Sequence, residues 1–166
     1  PPWSPHYDAA QAELFRYRSQ LSDLEWIIAA QKNATEASEK SQNPPHPVPL
    51  WVDVHLLWQK AVNHLNRVPA ESPFEEFVAQ KLKEYEANYA TIGQRLTVEE
   101  KAEASLNEAL EAGQLAQATT ENATTLTDWL ATQREWDRAL LAIGRIPKGT
   151  LAYEEARSRL TEYRSQ

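Results

Sequence analysis

Cysteine and methionine are both absent from the 166 residues, and only four glycines occur. Without cysteine there is no disulfide framework, no thiol nucleophile and no cysteine-ligated zinc. The glycines, at 93, 113, 144 and 149, never group into a loop that cradles phosphate. No apolar run approaches the ~18 residues of a membrane span, so this segment is not expected to insert into a membrane directly. Nothing alternates at period two over a useful length, which predicts no sheet. Positive charge is also scarce, with 17 Lys and Arg against 24 Asp and Glu and a net charge of -7. Residues 73–111 hold nine acids against four bases, and residues 134–166 hold seven bases against five acids. Nucleic-acid binders concentrate their bases in a stripe. A mildly basic end is not one, so nucleic acid is not an expected partner. The acidic stretch, with pairs such as Glu99-Glu100, reads as a solvated helix face. A chain that opens on Pro1 and lacks methionine reads as a fragment excised from a longer protein.

What the chain does contain is repetition. Ser4-Pro5 opens a run with Tyr7, Ala10, Leu14 and Tyr17, and Ser72-Pro73 opens one with Val78, Leu82 and Tyr85. A third run carries Tyr153, Ala156, Leu160 and Tyr163. Between them a second element recurs. Trp51 and Trp58 are followed by Ala61, Leu65, Arg67 and Pro69; Trp129 and Trp136 are followed by Ala139, Ile143, Arg145 and Pro147. Trp58 and Trp136 lie 78 residues apart, as do Leu82 and Leu160, whereas Leu14 and Leu82 lie 68 apart. The ten-residue shortfall falls between Leu21 and Trp51, where the prolines cluster. Units of this size predict a quasi-linear helical array in which each unit packs on its neighbours.

The periodicity places the helices. Ser4-Pro5 is a start signal, because serine can accept from an orphan N–H and proline has none to lose. The seam Tyr7, Ala10, Leu14, Tyr17, Leu21, Leu24, Ile28 alternates spacings of three and four, which predicts a long helix over 5–40. Pro44, Pro45, Pro47 and Pro49 then predict an extended linker. A helix over 51–67 carries Trp51, Val54, His55, Trp58, Val62 and Leu65 on one stripe. Ser72 with Glu75 reads as a capping box, opening a helix over 73–118 with the seam Val78, Leu82, Tyr85, Tyr89, Ile92, Leu96. At Thr97 the phase shifts to Ala102, Leu106, Ala109 and Gly113. With no stop signal at Arg95-Leu96, one bent helix is preferred to two. A fourth helix spans 126–145 with Trp129, Trp136, Leu140 and Ile143 on one face, and Thr150 caps a last helix reaching about Arg164. The fold class is therefore all-α, an antiparallel array of long helices arranged as hairpins in a coiled-coil-like bundle. In sequence it divides into a partial unit plus linker at 1–50, a complete unit at 51–125 and a partial unit at 126–166.

Trp58, Ala61, Leu65, the Pro69 turn, Val78 and Tyr85 resemble tetratricopeptide-type helical hairpins. They resemble still more the extended version found in many uncharacterised cyanobacterial proteins, patterned W-x2-A-x3-L-x2-I-P-x2-S-P-x-Y-x2-A-x3-L-x2-Y. Glu75 stands where the pattern has its first tyrosine, which Tyr7 and Tyr153 supply in the other runs. The resemblance covers most of the chain and implies partner binding rather than chemistry.

No set of residues argues for catalysis. His55 lies on the apolar stripe, but its counterpart 78 residues on is Gln133, so a replaceable interface hydrogen bond is the simpler reading. His6, His46 and His64 lie apart, and no second ligand is spaced to complete a metal site. Serines lack any nucleophile-elbow context. Asn33-Ala-Thr35 and Asn122-Ala-Thr124 match the glycosylation acceptor pattern by chance spacing. The expectation is a non-enzymatic scaffold segment without cofactor or metal. It binds a protein partner or itself; the alternative is a self-associating structural spacer of a larger protein, with or without a membrane anchor elsewhere. Trp3 and Trp26 have no repeat counterpart and are the candidate contact residues. Leu82 and Trp58 are expected in the core, and Glu99→Gln or Glu108→Gln is expected to be harmless. An array cut inside its units is expected to leave apolar seams uncovered at both ends.

Overall fold

The computed structural model describes residues 6–165, with side chains described through 158. Among these residues there are five helices and no strand: α1 Tyr7–Lys40, α2 Val48–Leu65, α3 Glu75–Asn122, α4 Leu126–Gly144 and α5 Leu151–Ser165. The protein is all-α.

Helix ends follow local chemistry. Thr150 receives the Tyr153 N–H on its hydroxyl and donates to the Pro147 carbonyl, capping α5 as its sequence suggests. Thr125 and Asp128 form a reciprocal capping box at the start of α4. The backbone N–H groups of Thr125 and Thr124 hold the Asp128 carboxyl below its ordinary value. Two expectations fail here. The proline stretch is not wholly extended, because α2 starts at Val48 and Pro49 sits in its first turn, where a missing N–H costs nothing. Ser72 does not pair with Glu75: its hydroxyl donates to Asp23 at 2.7 Å and accepts from the Phe74 N–H, while its own N–H goes to the Pro69 carbonyl. The expected start at Ser4-Pro5 lies outside the described residues. At Thr97 α3 continues unbroken and runs on to Asn122, beyond the expected 118.

The chain divides into two compact units, Pro1–Gln42 with Val52–Gly93, and Asn43–Trp51 with Gln94–Gln166. The first unit buries Ile27, Ala30, Ala34 and Ala37 of α1 with Val54, Leu57, Trp58, Ala61 and Leu65 of α2 and Val78 and Tyr85 of α3. Leu82, Tyr89 and Ile92 pack partly buried against this core. Three alanines in one row let α2 approach α1 closely, so the large side chains of α2 fill the space between helices. In the second unit Ala102 and Leu106 of α3 meet Ile146, Ala152 and Ala156. Ala109, Ala112 and Ala116 are also buried, so the shifted seam of α3 is real and extends two turns further than its sequence suggested.

The seam expected for α1 is not its buried face. Leu14, Tyr17, Leu21, Leu24 and Ile28 are exposed, and the buried row is Asp23, Ile27, Ala30, Ala34 and Ala37. Both rows keep the three-four rhythm. Close approach selects the small side chains of the second row, a choice the rhythm alone does not make.

Near the end of α2, the His64 ring stacks on Trp26 with centroids 5.5 Å apart, and the Arg67 guanidinium lies 4.4 Å from the same indole. Burial, reinforced by the Arg67 and Lys60 charges, pushes His64 below its ordinary value of 6.5. The folded chain therefore favours the neutral ring, and the unfolded chain takes up the proton first. This contribution to stability is complete above about pH 6.5 and is lost as pH falls through that value toward the lower folded one. The thermal midpoint is expected to fall between pH 7.5 and 5.5, and His64→Phe to flatten that fall. Equal slopes for the two proteins would show that another group controls it.

Candidate functional site

The polar clusters are committed to structure. Asp23 is buried, and its carboxylate receives the Ser72 hydroxyl beside the start of α3. Glu99 is 2% exposed. It receives the Arg95 guanidinium and, at 3.3 Å, the Leu151 N–H at the start of α5, and Arg95 also donates to the Gly149 carbonyl. Each unit thus places a buried acid from its long helix at the positive end of its third helix. The reading of Glu99 as a solvated surface charge is wrong: the acid forms a fixed bond network under the turn at Gly149. Its partner lies 52 positions away in the chain, and no local pattern reveals such a partner.

His55 stacks on Tyr89 with centroids 4.1 Å apart and an interplanar angle of 8°. A Cβ at Gly93 would stand 3.1 Å from its Nε2, so glycine is what allows α3 to come this close. The histidine takes an interface role through ring stacking, where its sequence suggested a hydrogen bond. His46 packs against Trp51. Among the described residues no group of three or more His, Asp or Glu is arranged to hold a metal ion, and no helix is long and apolar enough to cross a membrane. Asn33 and Asn122 are helical, and their side-chain amides donate to the carbonyls of Ala29 and Ala118. Of the candidate contact residues, Trp3 lies outside the described residues, and Trp26 is half-buried beneath His64 and Arg67.

The large exposed apolar surface lies elsewhere, in two rows. The first runs along α1 through Leu14, Tyr17, Leu21, Leu24 and Ile28, flanked by Phe15. The second runs along α4 through Leu126, Trp129, Trp136 and Leu140. The repeat shows how unusual this exposure is. Trp51 and Trp58 are 3% and 5% exposed, whereas their counterparts Trp129 and Trp136 are 51% and 42% exposed. Tyr85 is 4% exposed and its counterpart Tyr17 is 59% exposed. The sequence placed the α4 tryptophans in the core. The structure instead turns Thr132, Ala139 and Ala142 inward, with Thr132 bonded to Thr119 of α3. No family model matches the chain, and neither a curated protein nor a solved structure matches it. Contiguous exposed apolar rows of this kind mark surfaces that other chains cover. Each is a heptad-spaced helix face, which suits an amphipathic helix laid alongside it. The signal that would have located them was already in the sequence: two homologous rows whose covering residues have no equivalent nearby in the chain.

Proposed function

We propose that this chain is a non-enzymatic helical-repeat scaffold segment that binds helices of other proteins along its exposed seams. The observation that carries this reading is the α4 row, in which two tryptophans stand half-exposed at positions whose repeat counterparts are buried. Tryptophan in a shallow apolar row is a strong source of interface energy, because it brings a large area and few rotamers. The hairpin pattern of tetratricopeptide type supports the same reading. So do the contacts within each unit, which run in opposite sense along neighbouring helices, as antiparallel hairpins require. Lys40 meets Asp53 while Trp26 meets His64 in the first unit, and Thr119 meets Thr132 while Glu108 meets Arg145 in the second. The second reading, a self-associating spacer, draws on the α1 row.

A synthetic peptide of residues 73–96, which carries the seam that covers α2, is the probe. Titrated into the protein, it is expected to shift tryptophan emission to the blue and to saturate. A control peptide with Val78→Ser, Leu82→Ser, Tyr85→Ser and Tyr89→Ser is expected to do neither. The double variant Trp129→Gln/Trp136→Gln is expected to lose the response. Equal responses to both peptides would remove the docking role of α4.

A further inference from the structure

We propose that copies of this chain associate head to tail, the α1 row of one copy seated on the α4 row of the next. This rests on the scaffold reading, in that it takes both exposed rows as docking surfaces, and it names a second copy as their partner.

The first unit contains the required interface in finished form. Trp58 of α2 lies 5.4 Å from Tyr85 of α3 by ring centroids, and His55 stacks on Tyr89 at 4.1 Å. Val62 of α2 and Leu82 and Ile92 of α3 pack partly buried on the same core. The repeat spacings carry each half of this interface to a second place in the chain. A step of 78 residues carries His55, Trp58 and Val62 to Gln133, Trp136 and Leu140. A step of 68 residues carries Leu82, Tyr85, Tyr89 and Ile92 to Leu14, Tyr17, Leu21 and Leu24. Trp136 and Leu140 on one row, and all four residues on the other, are exposed. Each copy thus presents one half of the α2–α3 interface on α4 and the complementary half on α1. In the pairing of two copies, Tyr17 takes the place of Tyr85 over Trp136, and Leu21 takes the place of Tyr89 beside Gln133. Shape and spacing are already compatible, because the first unit packs the homologous rows in this register. The two rows differ, so the contact is heterologous: each copy keeps a free row at either end and the assembly propagates as a ring or a filament. Pairing α1 with α1 or α4 with α4 has no such template in the molecule.

The test uses the whole chain and two seam variants. Leu14→Glu/Leu21→Glu disables the α1 row, and Trp129→Glu/Trp136→Glu disables the α4 row. Leu126→Glu/Leu140→Glu replaces the latter if circular dichroism shows that losing the tryptophans unfolds α4. In sedimentation velocity the unaltered chain is expected to at least double its weight-average mass as concentration rises. Each variant alone is expected to remain monomeric. An equimolar mixture of the two is expected to form a one-to-one dimer and nothing larger, because one intact α1 row meets one intact α4 row. A monomeric unaltered chain overturns the inference, as does a dimer formed by either variant alone. The peptide titration does not depend on this result, so a monomer that still binds the peptide of residues 73–96 retains the scaffold reading and loses only the second copy as partner.

Discussion

Trp58→Ala is expected to destabilise the first unit by about 3–5 kcal/mol, as loss of a large aromatic side chain from a packed core does. Trp58 is buried against Ala34 and its neighbours on α1, and its ring meets Tyr85 on α3, so truncation opens a cavity bordered by three helices. The rigid helix backbones leave little room for collapse into that space. Its repeat counterpart supplies the control. Trp136 stands at the same position of the second tryptophan helix but half-exposed, and Trp136→Ala is expected to cost about 1 kcal/mol or less. Urea unfolding followed by circular dichroism measures both. Equal costs would mean that α4 is covered in solution, as head-to-tail association at the working concentration also requires, so the comparison belongs at low protein concentration. Leu82 is half-buried, so Leu82→Ala is expected near about 2 kcal/mol, the low end of the range for buried leucines.

Glu99→Ala is expected to cost about 2–4 kcal/mol. Removing one member of a buried ion pair costs about 3–5 kcal/mol, reduced here because Arg95 keeps some contact with solvent. The substitution leaves the Arg95 guanidinium and the Leu151 N–H without the carboxylate that receives both, and removes a negative charge from the positive end of α5. Glu99→Gln keeps the size and an acceptor but loses the charge, and is expected to recover about half of that cost. The comparison is Glu108→Gln. Glu108 meets Arg138 and Arg145 on the surface, and its loss is expected to stay within about 0.5 kcal/mol. Hydrogen exchange locates the effect, with α5 amides losing protection first in the Glu99 variants. Unchanged protection in α5 would show that the Leu151 bond is not what anchors that helix.

Much of the architecture was legible because helices are local objects. Proline turns, the Thr150 cap, tryptophans seven apart and a seam of period three and four all report on neighbours within a few turns. They place four of the five helices to within about three residues, and the continuity of α3 through Thr97 follows from the lack of any stop signal. The acids Asp23 and Glu99 were not legible. Each is buried by a partner about fifty positions away, and a carboxylate on a helix looks the same in sequence whether water or another helix start faces it.

The sequence by itself determined the helical class, the repeat and its spacings, and which residues are homologous across units. It also supplied both heptad rows on α1, the large one and the alanine one, without ranking them. Only the tertiary structure decided which row is buried. Helix packing rewards close approach, so the alanines of α1 and α3 face inward, and the larger side chains of α1 and α4 remain at the surface wherever no third helix covers them. Equivalent residues such as Tyr17 and Tyr85, or Trp58 and Trp136, therefore end in opposite environments. Identity along the chain specifies what a residue is able to pack against, and the presence of a neighbouring helix determines whether it does.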